Sequence, residues 1–207
     1  MLKFKNSNLI EIGVDECARG VLFGRIYSAA VIYPKEGISN EIESMINDSK
    51  KLSSKKRNLI YDTLIKSLRY SVAYIDNDEI DLKGIQPCNY KVFHKAINGL
   101  KIRPDMILVD GKCFESYYYN DELINHECIV KGDSKYLSIA SASIIAKVEH
   151  DRYIINLILE NPYLEKYDLC NNMGYGTARH INAIRCHGYT KYHRKSYKIK
   201  NLQGMNF

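Results

Sequence analysis

Three apolar stretches of this chain run into acids. Leu9-Ile10-Glu11-Ile12-Gly13-Val14 leads to Asp15-Glu16, Met106-Ile107-Leu108-Val109 to Asp110, and Ile129-Val130 through Lys131-Gly132 to Asp133. Short runs rich in Ile and Val have strand character. Gly24–Tyr33, stopped by Pro34, and Tyr70–Ile75 read as two more strands. Helical spacing lies between them. Over Ser53–Arg69 the residues Leu59, Ile60, Leu64, Ile65 and Leu68 share a face, and Ser53 is placed as the N-cap. Lys91–Leu100, Ser138 to about Leu159, and Thr177–Cys186 are also expected to be helices. The longest of these opens with Ala140, Ser141, Ala142 and Ser143, small enough to pack closely on a sheet. Strands alternating with helices predict an α/β layer structure.

An acid that ends an apolar strand stands at the edge of the sheet, where open α/β sheets gather their active sites. Asp15, Glu16, Asp110 and Asp133, once brought together, would raise one another's pKa unless a cation offset the repulsion. An oxygen-only donor set, with no His or Cys, favours Mg²⁺ or Mn²⁺ over zinc. Two such ions about 4 Å apart would support in-line attack of water on a phosphodiester. Each acid taken alone suits a turn cap or a lysine partner equally well, and spacing does not show that the four meet.

A chain of 207 residues holds one large domain, or a domain with a small appended segment. No apolar run approaches the roughly 18 residues of a membrane span. The opening Met1-Leu2-Lys3-Phe4-Lys5 lacks the apolar core of a secretory signal, so a cytoplasmic location is expected. In such a reducing compartment the six cysteines, widely spaced and without a C-x-x-C pair, are expected to be free thiols. The net charge of +6 is carried by the C-terminal segment. Beyond Asp168 come Arg179, Arg185, Lys191, Arg194, Lys195, Lys198 and Lys200 and no acid, interleaved with Tyr175, Tyr189, Tyr192 and Tyr197. Cations among stacking rings suit a nucleic-acid backbone, and a solvated basic face would have the same composition.

The segment Gly13-Val14-Asp15-Glu16-Cys17-Ala18-Arg19-Gly20 resembles the G-V-D-E-A-G-R-G signature of type 2 ribonuclease H. Further blocks follow in the family's order. They are Asp48-Ser49-Lys50-Lys51-Leu52-Ser53, Leu108-Val109-Asp110-Gly111, Lys131-Gly132-Asp133-Ser134-Lys135-Tyr136 running into Ala142–Val148, and Gly174-Tyr175-Gly176-Thr177 with His180. His193-Arg194-Lys195-Ser196-Tyr197 is similar to the family's closing H-R-x-S-F. Together the blocks cover nearly the whole chain.

The resemblance implies a ribonuclease H-like α/β fold, with a mixed five-stranded sheet flanked by helices and a C-terminal helical extension. The catalytic part would span 1–168, and 169–207 would be a basic segment packed on it. The implied activity is endonucleolytic cleavage of the RNA strand of RNA–DNA hybrids, and incision at ribonucleotides embedded in duplex DNA, leaving 5′-phosphate and 3′-hydroxyl ends. Asp15, Glu16, Asp110 and Asp133 would be the catalytic acids, holding two Mg²⁺ or Mn²⁺ ions, with Asp15 bridging both. Ala18, Arg19 and Gly20 would read the ribose 2′-hydroxyl through main-chain groups, and Tyr175 would stack on the next sugar. Ser49, Lys50 and Lys51 would lie near the phosphates. A monomer with no membrane association is expected.

Several positions depart from the family pattern. Ala18 replaces the first glycine of Gly-Arg-Gly, Val21 a proline, Gly84 an asparagine and Met173 a lysine. If position 18 requires positive φ, alanine costs about 1 kcal/mol or more there, or the loop shifts. His180 is expected in the core or at a helix cap, Asp151 paired with a neighbouring cation, and Lys147 in a structural role. Two other readings compete. One is the sister type 3 enzyme, which carries an additional N-terminal binding domain for which residues 1–12 leave no space. The other is a non-catalytic nucleic-acid-binding module, which should have lost at least one of the acids.

Overall fold

The computed structural model describes residues 1–46 and 52–199. Strand β1 (Glu11–Cys17) turns back into β2 (Ile26–Ile32), and helices α1 (Asn40–Met45) and α2 (Ser54–Ser67) precede β3 (Arg69–Ile75). Helices α3 (Asn77–Lys83) and α4 (Ile85–Gly99) lead to β4 (Met106–Asp110), β5 (Tyr117–Tyr119) and β6 (Glu122–Ile129). A 3-10 turn at Gly132–Ser134 opens onto the long α5 (Leu137–Glu160). A second 3-10 segment, Pro162–Tyr167, is followed by α6 (Leu169–Asn172) and α7 (Ala178–His187).

The strands form one mixed sheet in the order β3-β2-β1-β4-β6-β5. β1, β4 and β6 are parallel neighbours, while β2, β3 and β5 are antiparallel to theirs. Alternation along β2 serves both faces of the sheet. Tyr27, Ala29 and Val31 pack towards Ile60 and Leu64 of α2 and Ala140 and Ile144 of α5. Ile26 and Ala30, with Ile12 and Val14 of β1, face Val92, Phe93, Ala96 and Ile97 of α4. The small residues that open α5 allow the expected close approach. A Cβ built on Gly13 of β1 would stand 2.4 Å from the backbone of Ser138, so only glycine fits beneath the helix.

Sequence and structure differ in a few elements. The sheet has six strands rather than five, because Tyr117–Tyr119 folds back on β6. Asn120 and Asp121 between them both have positive φ (49° and 64°), the geometry of a tight two-residue hairpin. α1, with its Ser39 cap, and α3 were not anticipated. α4 begins six residues before the expected start at Lys91, with Pro87 in its first turn, where a missing N–H leaves no bond unmade. Ser53 caps α2 as expected, but Leu59 is exposed and the buried face is Arg57, Ile60, Tyr61 and Leu64.

The basic C-terminal segment is tied to the rest of the molecule. Phe23, Ile154, Leu157, Leu164, Tyr167, Ala183, Ile184 and Ile199 share one apolar core that straddles position 168. Main-chain hydrogen bonds join Gly24 to Tyr192 (2.8 Å) and Arg194 to Leu22 (2.9 Å). No helix among the described residues is long and apolar enough to cross a membrane.

Candidate active site

The parallel register places the acids. Val14 lies opposite Val109, so Asp15 and Asp110 emerge side by side at the C-terminal edge of β1 and β4. Asp110 is in turn level with Ile129 at the end of β6. The chain then turns through Lys131, held at φ 56°, into Gly132-Asp133. The Asp110 carboxylate accepts the backbone N–H groups of Gly132 (2.7 Å) and Asp133 (3.4 Å). The three acid-bearing ends are thereby fastened at one edge.

Asp15 is the most deeply set of the acids, at 5% exposure. Its Oδ1 accepts the N–H of Glu16 at 2.7 Å, and Ser143 of α5 hydrogen-bonds its carboxyl. Burial, with Glu16 and then Asp110 close by, holds its pKa well above the usual carboxylate range despite those bonds. Such a group lacks a counter-charge. Among the described residues no three Asp, Glu, His or Cys side chains form a ready-made metal cage. The oxygen-only donors and the uncompensated charge on Asp15 fit hard divalent cations.

Beside Glu16 is a pocket of about 250 Å³ lined by Cys17, Ala18, Arg19, Gly20, Ser143, Lys147 and Tyr175. The sheet edge and the Gly-Tyr-Gly loop therefore meet, as the motifs imply. Ala18 is buried at φ 69°, so it keeps the left-handed turn and carries the strain, roughly 1–2 kcal/mol for an alanine. Arg19 is held at both ends. Its guanidinium donates to Gln86 of α4 (2.5 Å), and its carbonyl accepts from Arg194 Nη1 (3.0 Å) and the Tyr197 hydroxyl (2.7 Å).

Tyr175 is 39% exposed and faces the pocket. Burial of its body, with Cys17 and Asp151 near, pushes its phenol up to about 12, so the hydroxyl keeps its proton as a donor. The Lys147 ammonium stands 5.5 Å from the centre of its ring. A histidine pair holds the main chain of Tyr175. Thr190 N–H donates to His193 Nδ1 (2.9 Å), so the 3.2 Å contact runs from His193 Nε2–H to His180 Nε2. His180 Nδ1–H then donates to the Tyr175 carbonyl (2.9 Å). Both rings are fully buried, which agrees with the core reading of His180.

Asp151 is paired, as expected, with Lys147 (2.7 Å), Arg57 (3.5 Å) and His150 (3.1 Å). Burial opposes its charge, but His150 and Lys147 outweigh it and hold its pKa below the usual value. Lys147 is more than structural, because it also lines the pocket. Sequence reasoning missed its position and that of Ser143, although Ser143, Lys147 and Asp151 recur every four residues along one face of α5. Arg194 is not one of the surface cations. It is 1% exposed and spent on carbonyls of the 19–24 loop. Ser49, Lys50, Lys51 and Lys200 lie outside the described residues.

Known proteins share the chain's sequence pattern and its fold. The family model of ribonuclease HII matches residues 12–200. A ribonuclease HII of Parabacteroides distasonis is 42% identical over 200 residues, 96% of this chain and 95% of that protein. The crystal structure of ribonuclease H2 from Pyrococcus horikoshii superposes with a TM-score of 0.73 at 25% identity, covering 91% of this chain and 93% of that one. Bst-RNase HIII in complex with Mn²⁺ has the same fold at a TM-score of 0.64 and 21% identity, over 86% of this chain and 62% of that one. The chain belongs to the ribonuclease HII family and is a ribonuclease H acting on RNA–DNA hybrids.

Proposed function

We propose that this enzyme cuts the RNA strand of hybrids and also incises duplex DNA at single embedded ribonucleotides, leaving 5′-phosphate and 3′-hydroxyl ends. One observation carries the reading: buried Asp15 lies close to Glu16 and Asp110, and Glu16 lines a pocket shared with the 18–20 loop and Tyr175. Asp15, Glu16, Asp110 and Asp133 would hold two Mg²⁺ or Mn²⁺ ions, which would supply the positive charge that phosphodiester hydrolysis needs at the scissile phosphate.

The chain's own groups supply recognition. Main-chain atoms of Ala18, Arg19 and Gly20 would meet the ribose 2′-hydroxyl, the group that separates RNA from DNA. Tyr175 would stack on the adjoining sugar and offer its phenol proton to the same hydroxyl. Residues 169–207 would form a basic segment touching the flanking backbone, and Ser49, Lys50 and Lys51 would lie near its phosphates. The protein would act as a cytoplasmic monomer.

The test is incubation with Mg²⁺ or Mn²⁺ and a duplex containing one ribonucleotide, then a long hybrid, with the ends of the products identified. Cutting of both, always leaving 3′-hydroxyl ends, is the expected result. Failure on the single-ribonucleotide duplex would refute the recognition half, and 3′-phosphate ends the catalytic half.

A further inference from the structure

Two residues that differ from the family signatures, Ala18 and Tyr197, are linked through Arg19: Tyr197 bonds the carbonyl of the residue that follows Ala18. Ala18 stands at φ 69°, a region that L side chains avoid. Strained backbone persists where its surroundings over-determine it. Here the next carbonyl, that of Arg19, accepts two hydrogen bonds, from Tyr197 Oη at 2.7 Å and Arg194 Nη1 at 3.0 Å. Arg194 Nη1 also donates to Tyr197 Oη at 3.1 Å, which closes a triangle over that carbonyl. Arg194 Nε fixes the far end of the loop through the Gly24 carbonyl at 2.9 Å. Asp81 secures the turn carrying Tyr197 by accepting the N–H groups of Lys195 (2.8 Å) and Ser196 (3.0 Å). A phenylalanine at position 197 could fill the space but would leave the Arg19 carbonyl with one donor.

We propose that the Tyr197 hydroxyl is a specificity-determining positioning group: it holds the Arg19 carbonyl so that Ala18 keeps the left-handed turn needed to read a lone ribose 2′-hydroxyl. This rests on the proposed reading of the pocket. A long hybrid offers 2′-hydroxyls at many registers and tolerates a looser turn. A single ribonucleotide offers one and does not.

The experiment is a double-mutant cycle with the parent, Ala18→Gly, Tyr197→Phe and the double variant. kcat and KM are measured on a single-ribonucleotide duplex and on a long hybrid, with thermal melts as folding controls. Tyr197→Phe is expected to lower kcat/KM on the single site by about tenfold, mainly in kcat, and on the hybrid by less than about threefold. In the Ala18→Gly background, where glycine adopts positive φ freely, the same substitution should cost less than about threefold on either substrate. A single-to-hybrid ratio unchanged by Tyr197→Phe would overturn the proposal. So would an equal loss in both backgrounds, since the hydroxyl would then act independently of Ala18. If Tyr197→Phe does not fold, adding Ala18→Gly must restore folding, and its failure to do so also overturns the idea. A parent that cuts hybrids but never single sites would instead refute the underlying reading of the pocket, and this inference with it.

Discussion

Asp15 is poorly placed for stability and well placed for chemistry. Its carboxyl is buried beside Glu16 and Asp110, so ionising it costs the folded protein free energy that the unfolded chain does not lose. Asp15→Asn should therefore raise the stability of the metal-free protein at pH 7–8 by about 1–3 kcal/mol, the scale of one buried unsatisfied group, and abolish cleavage. Mg²⁺ should raise the melting temperature of the parent and leave that of the variant nearly unmoved. A destabilised Asp15→Asn would contradict this. Asp110→Asn or Asp133→Asn should leave folding and hybrid binding in place and remove activity by a factor on the order of 10³ or more. Turnover at saturating Mn²⁺ beside a binding titration checks it, and activity within about tenfold of the parent in both variants would sink the assignment of the acids. These residues were legible from sequence because each sits where an apolar strand gives out. Lys147 and Ser143 were not, because their signal is a helical stripe whose meaning depends on which face of α5 meets the sheet edge. Arg194 was misplaced among the surface cations, since composition cannot tell a solvated guanidinium from one enclosed by carbonyls.

At the level of elements, β1 and α5 set the site between them: one carries Asp15 and Glu16, the other Ser143 and Lys147. Their spacing depends on Gly13, where a Cβ would meet Ser138 at 2.4–2.5 Å. Gly13→Ala should push the helix off the strand, costing about 1–3 kcal/mol or more and roughly 3–10 °C in Tm. Cleavage should fall with it, because Ser143 would leave Asp15. An unchanged Tm would show that the layers can separate without strain. The central strands and the long helix were readable because each is a sustained apolar run with Pro or Gly close to its end. The hairpin of β5 and β6 was lost because Tyr117–Tyr119, at the sheet edge, is three residues long and Glu122–Ile129 mixes exposed and buried positions. Its Asn120-Asp121 turn was the available clue. α4 was cut short because its first turn contains Pro87, a residue that the start of a helix tolerates.

Across the whole molecule, residues 190–197 support both walls of the pocket, one through His193 and His180, the other through Arg194 and Tyr197. The histidine chain works only when both rings are neutral, since a proton on either would set two donors face to face. Burial, the neighbouring His180 and Lys195 push His193 down to about 3. Between that value and about 6.5 the unfolded chain binds a proton that the folded one refuses. This contribution to stability is complete above pH 6.5 and is lost as pH falls towards 3. Protonation of buried Asp15 as pH falls works in the opposite direction, so the rings should be followed directly. NMR should show His193 still neutral at pH 5, and a His193 ring titrating near 6.5 would contradict the chain of bonds. Exposed Arg179, Arg185, Lys191, Lys195 and Lys198 carry the basic character of this region. Replacing all five with Gln should flatten the slope of log affinity against log salt by up to about 4, and an unchanged slope would make them a solvated face only. The bond from Arg194 to Arg19 spans 175 residues. At roughly 5–20 residues per second, the ribosome delivers the second partner about 10–35 s after the first. During synthesis the carboxylates are thus laid down before the segment that braces the 18–20 loop, and a prematurely terminated chain would possess the blade of this nuclease without its reading guide.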